Sequence, residues 1–134
     1  TQMYFEPKTS GSEAGISLFQ KDDNYINFTI IKQGGKQYLQ AYAVKNGEIL
    51  KTIKRQSKEY KGYVKFKVIA DKDIFKLYYA TKGMDFNLFT TFEGSLLKSN
   101  GYTGAYLGLY ATGNGKKNND IASFDYVNYL IKKK

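Results

Sequence analysis

The sequence predicts an all-β fold, an antiparallel β-sandwich of the jelly-roll kind, on three observations. Apolar and polar residues alternate with period two from end to end, and no long run of apolar residues at helical spacing competes with that pattern. Aromatics make up 16% of the 134 residues, chiefly 13 Tyr and 9 Phe, side chains that fit a pleated, half-buried surface. Turn signals recur about every ten residues, the spacing of short strands in packed sheets. A ligand-enclosing β-barrel carries the same alternation, so period alone leaves sandwich and barrel both open.

The elements follow in order. Residues Asn24 to Ile31 place Ile26, Phe28 and Ile30 on one face with Asn27 and Thr29 on the other, and Gln33-Gly34-Gly35 turns the chain. The second arm, Lys36 to Lys45, ends at Asn46-Gly47, a dipeptide that tolerates positive φ at both central positions of a type I′ turn; Glu48 to Ile53 then pairs back. From Tyr63 to Ala70 the pattern sets Val64, Phe66 and Val68 inward and Lys65 and Lys67 outward. Asp71-Lys72-Asp73 reverses the chain, Phe75, Leu77 and Tyr79 form the next inward set, and Thr81-Lys82-Gly83 leads to a strand over Asn87 to Phe92, which completes a meander. After Gly94 a less regular stretch precedes Ala105 to Ala111, with Leu107 and Leu109 on one face, and Ile121 to Ile131 closes a sheet.

A chain of this length buries roughly two-thirds of its unfolded surface, enough for one core, so residues 1–134 read as a single domain without repeat or linker. His and Cys are absent, which removes the usual general base, the thiolate nucleophile, disulfides and every soft metal site. The lack of Cys fits a reducing cytoplasm and a secreted domain equally, so the compartment stays open. No apolar run approaches the ~20 residues that cross a bilayer. The start, Thr1-Gln2-Met3-Tyr4-Phe5, has no signal-peptide pattern and reads as an excised boundary of a soluble domain. The net charge of +9 comes from lysines scattered through nearly every segment, with Arg55 the single arginine. Nucleic-acid readers concentrate Arg into a stripe, whereas dispersed Lys keeps sheets soluble and their edges unpaired, so the pattern argues against nucleic acid and membrane as partners. A polyanion-binding module is the lesser alternative, and Lys132-Lys133-Lys134 is a solvated tail.

Catalysis is disfavoured. Hydrolysis by paired carboxylates needs two acids roughly 5 to 9.5 Å apart across a sugar bond. The nearest pairs here, Asp22-Asp23 and Asp71/Asp73, sit where Asp turns the backbone. Thr112-Gly113-Asn114-Gly115-Lys116 lacks the spacing of a phosphate loop and reads as a long turn. The tyrosines are more suggestive, because sugar rings stack their C–H faces on flat side chains while hydroxyls exchange hydrogen bonds with polar neighbours. Tyr25, Tyr38, Tyr42, Tyr78, Tyr102, Tyr106 and Tyr110 are candidates, set against the ordinary role of Tyr as core filler with its hydroxyl in water. No cofactor is required. Calcium is the one metal that an oxygen-only ligand set permits, and Glu13 and Asp125, near the two ends of the chain, are candidate ligands of a structural ion joining first and last strands; ordinary hydrogen-bonded acids are the competing reading.

Three stretches resemble a known family. They are Phe5-Glu6-Pro7-Lys8 with Glu13-Ala14-Gly15-Ile16-Ser17-Leu18-Phe19-Gln20 and Asp22-Asp23-Asn24-Tyr25-Ile26; Gly101-Tyr102-Thr103-Gly104-Ala105-Tyr106-Leu107-Gly108-Leu109-Tyr110-Ala111-Thr112-Gly113-Asn114-Gly115; and Ala122-Ser123-Phe124-Asp125-Tyr126-Val127-Asn128-Tyr129. Together, in this order, they resemble the C-terminal concanavalin A-like domain of family 43 glycoside hydrolases, the β-xylosidase and arabinofuranosidase type. The resemblance implies a sandwich that packs beside a five-bladed propeller carrying the catalytic acids, and that helps wall the sugar pocket in some members. It also points to Tyr102, since the family's Phe-Thr-Gly-Ala segment, whose aromatic reaches the neighbouring active site, matches Tyr102-Thr103-Gly104-Ala105 with a hydroxyl added. The family's domain usually starts with a further stretch ahead of its Phe-x-Pro segment, so the resemblance implies a truncated domain, a fragment or a shorter stand-alone relative here.

The expectation is therefore a non-catalytic accessory or carbohydrate-binding module of a xylan- or arabinan-degrading hydrolase. Its expected partners are plant cell-wall polysaccharide or oligosaccharide and the parent's catalytic propeller, with Tyr102, Tyr106, Tyr110 and Tyr25 binding sugar or shaping the pocket. A purely structural domain that packs on the propeller without holding glycan is the alternative.

Overall fold

Strands with one apolar face must bury that face, and here two sheets bury theirs against each other. The computed structural model describes residues 1–21, 24–71, 73–83, 85–94, 106–115, 120 and 122–124. The strands are β1 (Gln2–Phe5), β2 (Glu13–Lys21), β3 (Asn24–Gln33), β4 (Lys36–Lys45), β5 (Glu48–Gln56), β6 (Tyr63–Asp71), β7 (Ile74–Ala80), β8 (Asn87–Glu93), β9 (Tyr106–Thr112) and β10 (Ala122–Phe124). They form two five-stranded antiparallel sheets, ordered β10-β1-β6-β7-β8 and β5-β4-β3-β2-β9. Among the described residues there is no α-helix. The open sheets decide for the sandwich over the barrel.

The hairpins and the meander lie where the pattern puts them. Asn46 and Gly47 both take positive φ, 53° and 80°, as the type I′ turn between β4 and β5 demands. The β6-β7-β8 meander pairs Phe66 with Tyr79, Val68 with Leu77 and Phe75 with Phe92. The strands β1 and β2, ahead of Asn24, have no assignment from pattern; β1 lies between β10 and β6 and pairs with both. Ala122–Phe124 is the described part of the predicted closing strand, and the stretch between Gly94 and β9 lies outside the described residues.

The core between the sheets is built on Met3, Ile16, Ile26, Phe28, Ile30, Val64, Phe66, Leu77 and Phe92. Phe28 bridges the layers: its ring meets Phe66 edge-on at 4.9 Å and stacks on Phe89 at 5.5 Å, both on the opposite sheet. Tyr60, buried after β5, donates its hydroxyl to the Phe5 carbonyl and so pins β1. On β5, Lys51 and Arg55 lie over the rings of Phe92 and Phe89, so the edge of the sandwich is closed by cations on aromatic faces. Leu109 departs from expectation: it pairs with core residue Ile16 but is 49% exposed, because β9 is an edge strand.

Candidate functional site

The face of β5-β4-β3-β2-β9 that points away from the core can be read from its register. Residues opposite each other share a face, so four rows cross the sheet. One runs Thr112, Glu13, Ile31, Tyr38, Gln56; the next Tyr110, Gly15, Thr29, Gln40, Lys54; the third Gly108, Ser17, Asn27, Tyr42, Thr52; the last Tyr106, Phe19, Tyr25, Val44, Ile49. The first three rows hold a set of polar residues on β2, β3 and β4 that water does not reach. Glu13, Ser17, Asn27, Thr29 and Gln40 are all buried, Asn27 and Thr29 completely.

Glu13 organises this cluster. Its Oε2 accepts from the Thr29 hydroxyl at 2.7 Å, the Gln40 amide at 2.9 Å and the Tyr42 hydroxyl at 3.1 Å, and its Oε1 accepts from the Asn114 amide at 3.2 Å. A carboxylate that takes four donors is satisfied without a cation partner. Tyr42 in turn accepts from Asn27 Nδ2 at 2.9 Å. The carbonyl end of that amide, Oδ1, is buried and has no hydrogen-bond partner among the described residues. Burial, and next the charge of Glu13, push the Tyr110 hydroxyl above the usual phenol range, while hydrogen bonding with Tyr42 and Asn27 opposes the shift. Tyr42 is pushed up further, again chiefly by burial with Glu13 adding to it. Both phenols therefore stay protonated as donors.

Two glycine positions shape the face. A Cβ on Gly15 would run into the Phe28 carbonyl and the Thr29 Cα, so only Gly lets β2 lie this close to β3. At Gly108 the ring of Phe19 covers the bare backbone, 3.0 Å from where a Cβ would stand. Outside the sheet, Asp120 accepts from the Lys8 and Thr9 backbone N–H groups and from the Ser12 hydroxyl at 2.6 Å, which anchors the loop leading into β2.

The structure thus brings together several residues singled out in the sequence. Tyr110 and Tyr25, both half-buried, share this face with Tyr42 and Tyr38. The Tyr106 backbone pairs with Phe19, which pairs with Tyr25. Tyr78 is elsewhere, on the outer face of the other sheet under Lys67. Tyr102 and Asp125 lie outside the described residues, as do Asp22 and Asp23. Glu13 lies in the same cluster, with the Gln40 and Asn114 amides turning N–H groups toward it. The strand just ahead of Asp125, β10, pairs with β1 in the opposite sheet from Glu13. No group of three or more acidic residues able to hold a metal occurs among the described residues. Asn27, Thr29 and Gln40 were not singled out as site residues; the available signal was polar residues with small or flat neighbours at alternate positions of otherwise apolar strands.

Known proteins place this fold. The family model of the β-xylosidase C-terminal concanavalin A-like domain matches residues 1–130. A non-reducing end α-L-arabinofuranosidase of Bacteroides ovatus, BoGH43B, is 24% identical over 127 residues, which cover 93% of this chain and 24% of that protein. Among solved structures, the GH43 protein BlXynB of Bacillus licheniformis superposes with a TM-score of 0.72 at 22% identity over 90% of this chain and 24% of its own. Xylan β-1,4-xylosidase of Bacillus halodurans gives 0.75 at 15% identity over 91% of this chain and 25% of its own. The chain spans about a quarter of each of these relatives. With two stacked antiparallel sheets and a match over nearly its whole length, the chain belongs to the family of concanavalin A-like C-terminal domains of β-xylosidases.

Proposed function

We propose that this chain is a non-catalytic accessory domain of a xylan- or arabinan-degrading glycoside hydrolase, and that it holds cell-wall sugar on the outer face of the β5-β4-β3-β2-β9 sheet. The observation that carries the reading is the buried polar cluster around Glu13 with phenols at its border. Burying Glu13, Asn27, Thr29 and Gln40 on a face turned away from the core does nothing for core packing, and it sets a hydrogen-bonded polar cluster beside Tyr25, Tyr42 and Tyr110. Sugars are recognised by that combination. The nature of the relatives, an arabinofuranosidase and a xylosidase, supports the polymer class.

Affinity electrophoresis in xylan and arabinan gels tests the reading. Retardation of the chain, lost in a folded Tyr110→Ala variant, is the expected result; migration unaffected by either polymer refutes it. A second reading rests on the other sheet. Tyr4, Ile74 and Leu88 stand on its outer face at 44 to 51% exposure, as a surface that docks on the remainder of a parent enzyme would. If Tyr4→Ser and Leu88→Ser loosen the domain from its parent while leaving polymer binding alone, both faces have a use.

A further inference from the structure

The geometry points to a subsite at Asn27 Oδ1 that takes a hydroxyl donor from an uncharged sugar, an inference that rests on the carbohydrate reading above. Its basis is the direction in which protons must run through the cluster. Glu13, receiving four donors, acts only as an acceptor. The Tyr42 hydroxyl therefore spends its one proton on Glu13 Oε2 and meets Asn27 as an acceptor. That sets the amide with Nδ2 toward Tyr42, because the flipped orientation would bring two oxygens together with no proton between them. Oδ1 is thus held as an acceptor, fully buried and without a partner among the described residues. A buried carbonyl left without a donor is unfavourable, and a ligand hydroxyl that reaches it removes the deficit.

The same relay defines the chemical class. A hydroxyl is a donor and is welcome at Oδ1; a carboxylate or sulfate is an acceptor, and it would also face the charge of Glu13 behind Tyr42. The subsite selects neutral pentose or hexose residues over uronates, in opposition to the net charge of +9.

The test is affinity electrophoresis of the chain in neutral xylan, debranched arabinan and polygalacturonate, each at low and high salt. Neutral polymer should retard the chain at both salts, and polygalacturonate should lose any hold at high salt, since attraction to scattered lysines is screened. Tyr42→Phe, which keeps the ring but releases the amide, and Asn27→Leu, which removes the acceptor, should each weaken binding of the neutral polymer about tenfold. Circular dichroism and urea midpoints verify folding, and if Asn27→Leu does not fold, Tyr42→Phe decides. Undiminished retardation of folded Tyr42→Phe overturns the inference, as does salt-resistant binding of polygalacturonate. Passage through every gel without retardation overturns the carbohydrate reading itself, and the subsite with it.

Discussion

Replacing Glu13 with Ala removes the acceptor on which the outer face of the sheet is organised, and the cost can be worked from the donors it strands. Four side chains lose an acceptor, but they are not equivalent, and Asn114 keeps the Gly11 carbonyl. Asn114 is exposed and Tyr42 half-buried, so both can turn to water. Thr29 and Gln40 are 0% and 7% exposed and cannot. Each buried, orphaned donor costs about 1–3 kcal/mol, so the pair costs about 2–6 kcal/mol. Relief from desolvating a carboxylate returns part of that, which leaves a net loss of about 3 kcal/mol, near the range of about 3–5 kcal/mol for breaking a buried charged contact. Glu13→Gln keeps a carbonyl oxygen for two of the donors and should lose only about 1 kcal/mol. Urea unfolding at neutral pH measures both variants, with an unchanged m-value showing that the denatured state is the same. Losing less than about 1 kcal/mol in Glu13→Ala, or equal losses in the Ala and Gln variants, would refute the account of Glu13 as an acceptor hub.

Three further outcomes follow from the same structure. Phe28→Ala empties the junction between the sheets and should cost about 4 kcal/mol in urea unfolding; a value under about 2 would mean that Phe66 and Phe89 close the gap. Gly15→Ala forces a methyl into the β3 backbone and should destabilise by about 2–3 kcal/mol even though Ala is the more rigid residue in the unfolded chain, so a neutral or stabilising result would contradict the close approach of β2 and β3. Asp120 titrates at about 2, held below its ordinary 3.8 first by the Ser12 hydroxyl and then by the Lys8 N–H. A carboxyl depressed in the folded state contributes stability above its unfolded pKa and loses it as pH falls through the folded value, so that contribution fades between pH 3.8 and about 2. Acid titration of unfolding midpoints should show a shallower fall over that window for Asp120→Ala than for the parent, and parallel curves would rule the contribution out.

Fold class, the hairpins and the meander were legible in the amino-acid order. Period-two alternation in Asn24 to Ile31 and in Tyr63 to Ala70 is a local consequence of burying one face of a pleated strand, and Asn46-Gly47 sets a hairpin by its own backbone preference. Tyr25, Tyr110 and Glu13 were legible as candidates because of their chemistry. What only the tertiary structure decided is which of them meet. Glu13, Thr29, Gln40 and Tyr42 lie on three different strands, and their contact depends on the register between β2, β3 and β4, a long-range property that a single-residue slip would reverse by turning every side chain to the other face. For the same reason the burial of Asn27 and Thr29 was out of reach: alternation says that a polar residue faces away from the core, and only the neighbouring strands and rings decide whether water reaches it there.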